Sequence, residues 1–193
     1  MILGITGGLG CGKSTAARLF EQRGYRRLDS DQIVREQVLV QPEVITAVRA
    51  RYGEAVLTPD GRVDRPALAG KVFATDAERQ WIEELTHPLV FAAWRAAFAA
   101  EPTANWAVEV PLLFEKALEN WFDFTVCVAC APAQQLARLE QRGLPRVLAG
   151  QRISKQLPLA QKIELSDFVL WNEGPTQFLE AQVDRLALVL AAA

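Results

Sequence analysis

The run Gly7–Ser14, G-G-L-G-C-G-K-S, crowds four glycines, a lysine and a hydroxyl into eight residues. It is a full match to G-x-x-x-x-G-K-[ST], a pattern with a physical demand behind it. Successive backbone N–H groups must curl around an anion, and glycine permits both the curl and the close approach. The helical pattern that begins near Lys13 aims its amino-terminal amides at the same spot. Lys13 is placed to reach the β- and γ-phosphates of a nucleoside triphosphate, and Ser14 to offer its hydroxyl to Mg²⁺. Cys11, in a variable position of the loop, is either a thiol made acidic by the helix terminus or a bystander.

Two further groups of residues suit phosphoryl transfer. In LDSD, residues 28–31, Asp29 and Asp31 lie two apart on what reads as extended chain, so both point the same way. Asp31 is a candidate base for an acceptor hydroxyl or a ligand to magnesium water. Its alternative is to cap the helical QIVREQV that follows. The segment RLEQRGLPRVLAGQR places Arg138, Arg142, Arg146 and Arg152 in a row. Arg142, followed at once by Gly143, reads as a lid arginine that stabilises charge developing in transfer, against a solvated helix face as the bland reading.

The elements that must position these groups alternate. ILGIT (2–6), YRRLD (25–29), WAVEVPLL (106–113), FTVCVAC (124–130) and SDFVLWN (166–172) read as strands, most of them continuous apolar runs, with Pro111 ending the third because it cannot donate in a central ladder and so starting a loop at the ligand edge. Helical patterns separate them, including AQQLARLEQRG and a last helix opened by Gly174-Pro175 with Phe178, Leu179, Val183, Leu186 and Leu190 along one side. Apolar strands alternating with helices predict a parallel sheet covered on both faces. The helix-rich section 32–100, broken by the turn TPDGR, is too long for a simple crossover and reads as an insertion at the ligand edge of the sheet. Its aromatics, Phe73, Trp81, Phe91 and Trp94, are suited to a core or to holding an adenine.

Composition excludes more than it selects. A net charge of −2 lacks the basic footprint of a non-specific nucleic-acid binder. No basic leader or long apolar run is evident, so no membrane association is expected and the cytoplasm is the default location. Cys127 and Cys130 form a C-x-x-C inside a strand pattern with no second pair, which favours core thiols over zinc. His87 is the sole histidine, so no histidine metal cluster exists. There is no N-K-x-D and no D-x-x-G switch, which argues against a GTPase.

The chain resembles the dephospho-CoA kinases nearly end to end. The residues that carry this are TGGLGCGKST (6–15), LDSD (28–31), His87-Pro88, VPLLFE (110–115), RLEQR (138–142) and RISKQ (152–156) leading to DFVLWNEG. The resemblance implies a P-loop NTPase fold, a three-layer αβα unit around a five-stranded parallel sheet. Its core would be 1–31, 104–137 and 160–193, with a helical acceptor-binding insertion at 32–103 and a lid at 138–159. It implies transfer of the ATP γ-phosphate to the ribose 3′-hydroxyl of dephospho-CoA, with Mg²⁺, as the last step of coenzyme A synthesis. By position, Gly10, Cys11, Gly12, Lys13, Ser14 and Thr15 would bind the triphosphate and Asn172 would lie near the adenine. Lys13, Asp31 and Arg142 would be catalytic, and Asp31, His87, Leu112, Leu113 and Glu115 would serve the acceptor. Glu109 is a candidate for magnesium water or for a local buried partner, and the roles of Arg138, Arg146 and Arg152 stay open. A monomer is the favoured state. The alternatives are a P-loop kinase for another small acceptor and a silent ATP-binding module.

Overall fold

The apolar run at the amino end forms β1 (Ile2–Gly7), and the pattern after the glycine turn forms α1 (Lys13–Glu21). The structure, a computed structural model, describes residues 1–192. The chain continues through β2 (Arg26–Asp29), α2 (Ser30–Ile33), α3 (Pro42–Tyr52), α4 (Arg65–Val72) and α5 (Asp76–Ala100). It goes on through β3 (Trp106–Glu109), β4 (Phe124–Ala129), α6 (Pro132–Gln141) and α7 (Arg146–Ile153). The last elements are α8 (Leu159–Leu165), β5 (Phe168–Trp171) and α9 (Thr176–Ala191). Packing divides it into two units, Met1–Asp29 with the chain from Thr103 onward, and Ser30–Pro102.

In the first unit the described residues form a five-stranded, all-parallel sheet in the order β2-β3-β1-β4-β5. Side chains alternate across a strand, so β1 serves both faces. Leu3 and Ile5 pack with Ala16, Ala17 and Phe20 of α1 and with Leu179 and Val183 of α9. On the other face Gly4 lets Phe122 approach so closely that a Cβ there would lie 2.6 Å from its ring. Phe20 is wholly buried, and truncating such a side chain costs about 3–5 kcal/mol. The register sets Ile5 opposite Glu109, and Glu109 opposite Asp29, so β1, β2 and β3 end at one edge.

The third strand stops at Glu109, just ahead of the proline expected to end it. Val110 still donates to Ile5 O at 2.9 Å, but Pro111 has no N–H to continue a ladder. The fourth and fifth strands are also shorter than expected, β5 by two residues at its start and one at its end. Asp167 accounts for the start, since its Oδ2 accepts from Thr125 N at 2.7 Å and Thr125 Oγ1 at 2.8 Å. At the sheet edge, Gln182 of α9 donates to Trp171 O and accepts from Trp171 N, which occupies groups that an edge strand would otherwise present. Pro175 precedes the first residue of α9, and Phe178 is 53% exposed, outside the buried stripe of Leu179, Val183, Leu186 and Leu190.

The second unit is helical. After the short α2 the chain widens into a π turn over Val34–Val38, and the TPDGR turn is closed by a bridge between Leu57 and Val63. Thr75 caps α5 by accepting from Glu78 N, and the helix then runs through Pro88, which cannot donate to the preceding turn. Arg51 ties α3 to α5: its guanidinium pairs with Glu78 at 2.7 Å and lies 4.6 Å over Trp81. Of the four aromatics, Trp94 is core, Phe91 packs against it with the rings tilted by 54°, Trp81 meets Tyr52 edge-on and Phe73 is 60% exposed.

Candidate active site

The loop between β1 and α1 is shaped by glycines in the left-handed region. Gly12 has φ 101°, and a Cβ on it would lie 2.2 Å from Asn172 Nδ2; Gly7 has φ 137°, and a Cβ there would strike Val128 O. Neither position admits a side chain. Lys13 opens α1 and donates through Nζ to Gly7 O at 3.2 Å and Gly8 O at 3.0 Å, so its ammonium folds back over the loop. Ser14 is exposed in the first turn of α1, beside half-buried Thr15, and no acidic residue occupies that turn to oppose an anion.

Three side chains brace the loop from behind. Asn172, just after β5, donates from Nδ2 to Cys11 O at 2.8 Å. Arg138 donates to Asn172 O at 2.9 Å and to Cys11 O at 3.4 Å. Gln135 of α6 donates to Leu9 O at 2.9 Å. Asn172, expected near an adenine, thus serves the glycine loop itself. Gln135 carried no sequence signal beyond its place on a helix, and Arg138 had none that set it apart from its neighbours.

Cys11 is wholly buried, 3.4 Å from the Cys130 sulfur. The Cys130 thiol donates to it and, with Lys13 nearby, draws the Cys11 thiol down to about 7 against the upward push of burial. The same contact, with burial, pushes Cys130 up, and burial pushes Cys127 up to about 12. Core thiols is the reading that fits Cys127 and Cys130.

The carboxylates are arranged differently from the sequence expectation. Asp29 is the last residue of β2 and Ser30 the first of α2, so Asp31 lies exposed in a helical turn and does not share an extended face with Asp29. Because α2 begins at Ser30, Asp31 is inside the helix and does not cap it. Glu109, 3% exposed, pairs with Arg27 at 2.6 Å, and Arg27 also reaches Asp29 at 3.6 Å. This is a local buried network at the edge of the sheet.

Of the acceptor-side residues, His87 sits on α5 with its ring 5.7 Å from Phe91. Leu112 is half-buried in the loop after β3, but Leu113 is wholly buried beneath β1, which makes it a core residue. Glu115 accepts from Lys162 Nζ at 2.8 Å and Leu157 N at 2.9 Å. Arg142 is exposed at the end of α6, before Gly143 with φ 81°. Arg146 pairs loosely with Glu140 at 3.6 Å, and Arg152 is exposed on α7.

A phosphate fits the cradle because glycines leave its backbone bare and let it turn through the left-handed region, with Lys13 and the amino end of α1 beside it. A magnesium ion there needs few protein ligands, since phosphate oxygens and water supply most of its shell, and the Ser14 hydroxyl is exposed where one is needed.

A glycine cradle between the central strand and the next helix of a 2-3-1-4-5 parallel sheet puts the molecule among the P-loop kinases. The family model described as dephospho-CoA kinase matches residues 1–177. A dephospho-CoA kinase of Thermosynechococcus vestitus is 44% identical over 95% of this chain and 91% of its own. One from Xanthomonas campestris is 39% identical over 100% and 94%. A crystal structure from Thermus thermophilus, TT1252, superposes with a TM-score of 0.86 at 31% identity, covering 98% of this chain and 97% of that one. The dephospho-CoA kinase of Campylobacter jejuni shares the fold, with a TM-score of 0.65 at 19% identity over 97% and 95%. The chain belongs to the dephospho-CoA kinase family, and is accordingly an ATP-dependent kinase.

Proposed function

We propose that this kinase moves the γ-phosphate of ATP to the ribose 3′-hydroxyl of dephospho-CoA, giving coenzyme A. The observation that carries the reading is the braced cradle, in which Asn172, Arg138 and Gln135 hold loop carbonyls and so fix the glycine loop before any anion binds. Such preorganised donors stabilise transferring phosphate because they need no rearrangement when charge develops. Gly10, Cys11, Gly12 and Thr15 line the triphosphate, Lys13 turns from the loop carbonyls to the β- and γ-phosphates, and Asn172 borders the adenine.

Asp31, exposed in its helical turn, accepts the proton of the attacking hydroxyl. Arg142, beside the left-handed Gly143, is carried in by the 138–159 segment acting as a lid that keeps water from the phosphate. His87, Leu112 and Glu115 belong to the acceptor side, Leu113 only as packing behind it. Mg²⁺ bound at Ser14 would offset charge on the β- and γ-oxygens. Residues 32–103 act as the acceptor-binding insertion, and 1–31, 104–137 and 160–193 as the core. A small soluble acceptor, a monomeric chain and the cytoplasm complete the reading. Among the described residues no helix is long and apolar enough to cross a membrane.

The test is phosphate transfer from ATP with Mg²⁺ to dephospho-CoA, set against a panel of nucleosides, nucleotides and sugars. Selective conversion of dephospho-CoA is the expected result. Transfer to another acceptor would break the substrate assignment while keeping the chemistry, and ATP binding with no transfer would leave a signalling module.

A further inference from the structure

The loop Pro111–Glu115 leaves the sheet just after the last ladder bond, from Val110 N to Ile5 O. Beyond that point no strand holds it: Leu113 packs beneath β1, and the polar anchor is a side chain from far along the chain. Lys162 of α8 is 0% exposed, and its Nζ donates to Pro111 O at 2.8 Å and to Glu115 Oε1 at 2.8 Å. The same Oε1 accepts from Leu157 N at 2.9 Å. The other oxygen, Oε2, is buried and accepts no hydrogen bond from the described residues. Burying an ammonium is costly unless it is paired and hydrogen-bonded, so an apolar residue would be the simpler filler if packing were the only demand. Here the charge gathers two backbone positions instead, the exit of β3 and the end of the arginine-bearing segment before α8.

We infer that Lys162 is a positioning residue for the acceptor: it fixes the Pro111–Glu115 loop, and through Glu115 it couples that loop to Leu157 and the segment carrying Arg142. The inference rests on the reading of this loop as the acceptor side. Lys162 is shut off from solvent and acts through Glu115 and Pro111, with no need to touch substrate itself. Movement of the 138–159 segment would reach the acceptor loop through the Leu157–Glu115–Lys162 chain of hydrogen bonds.

The experiment pairs Lys162→Met with the double variant E115Q/K162M, which removes both buried charges. Amide exchange is followed over 112–117 and 154–158, with β1 and the glycine loop as internal references. KM is measured separately for dephospho-CoA and ATP. K162M is expected to speed exchange in those two segments only, and to raise KM for dephospho-CoA about tenfold or more, as misplaced positioning groups do, with KM for ATP nearly unchanged. The double variant is expected to regain melting temperature yet keep the raised KM and the fast local exchange. Parental exchange in both segments, a uniform rise across the sheet, or a double variant that unfolds or recovers parental KM would each overturn the proposal and leave a purely structural pair. If the parent enzyme proves to phosphorylate another acceptor, or none, the substrate reading falls; the local exchange pattern still decides the role of Lys162.

Discussion

Lys13 donates to two loop carbonyls through its ammonium, and those bonds exchange readily for bonds to phosphate because both are charge-assisted contacts of similar length. Lys13→Ala should therefore lose ATP affinity and turnover together, as read by calorimetric titration of ATP and by initial rates. Asp31 is different in kind. It is exposed in α2, away from the glycine loop in sequence, so Asp31→Asn should leave ATP affinity intact while lowering kcat by about 10²–10⁴-fold, the worth of a general base. Near-parental turnover in Asp31→Asn would remove it from the proton-accepting role. Gly12→Ala asks a sharper question of the backbone. With φ 101° and Asn172 Nδ2 only 2.2 Å from the added carbon, the loop must move or Asn172 must release Cys11 O. Loss of ATP binding from a folded protein is the expected result, checked by titration alongside a melting curve; ATP affinity equal to that of the parent would show that the cradle is softer than its geometry implies.

At the scale of elements, the join between β4 and β5 depends on one carboxylate. Asp167 accepts from both Thr125 N and Thr125 Oγ1, and Thr125 is 5% exposed. Asp167→Ala leaves buried donors without a partner, a cost of about 1–3 kcal/mol, with melting lowered by about 2–4 °C for each of them. Activity per folded molecule should persist, since the join is remote from the loop in register; a large drop in kcat without a drop in melting temperature would contradict this. The strands and helices that carry the site were legible in the sequence because an apolar run, a glycine turn and a helical period are local signals. Where local signals stop, so did the reading. The end of β3 was marked by Pro111, which cannot donate, but nothing local set the last ladder residue at Glu109. Asp31 reads as extended until Ser30 starts a helix, a choice set by packing of α2 against the π turn at 34–38 and against α5 more than by propensity. The braces were hidden for a different reason: Arg138 and Asn172 meet 34 residues apart, and Leu157 and Glu115 meet 42 apart. No spacing rule links such pairs, so the arginine that grips the loop could not be told from Arg142 four positions on.

For the whole molecule, the two units respond to acid through separate ion pairs. In Ser30–Pro102 the carboxylate of Glu78 accepts from Arg51 first and from Tyr52, and these bonds hold it down from its ordinary 4.5 to about 2. In the sheet-containing unit Asp184 is held below its ordinary value by Arg23. A carboxylate whose folded value is depressed binds its proton more weakly in the native state. Its contribution to stability is therefore complete above the unfolded value and is lost as pH falls toward the folded one. For Glu78 that window runs from about 4.5 down to about 2. Glu78→Gln keeps the shape of the side chain but removes the charge, and with it the bidentate partner of Arg51 and part of the tie between α3 and α5. The expected outcome is a urea midpoint below the parent's at pH 7, a difference that persists to about pH 5 and shrinks steadily as the medium is taken toward pH 2. Added salt should narrow the gap at pH 7 as well, because the pair is partly open to solvent and is screened. Midpoints that differ by the same amount at pH 7 and at pH 3 would mean that Glu78 acts through packing and not through its charge, and the helical unit would then owe its acid response to other carboxylates.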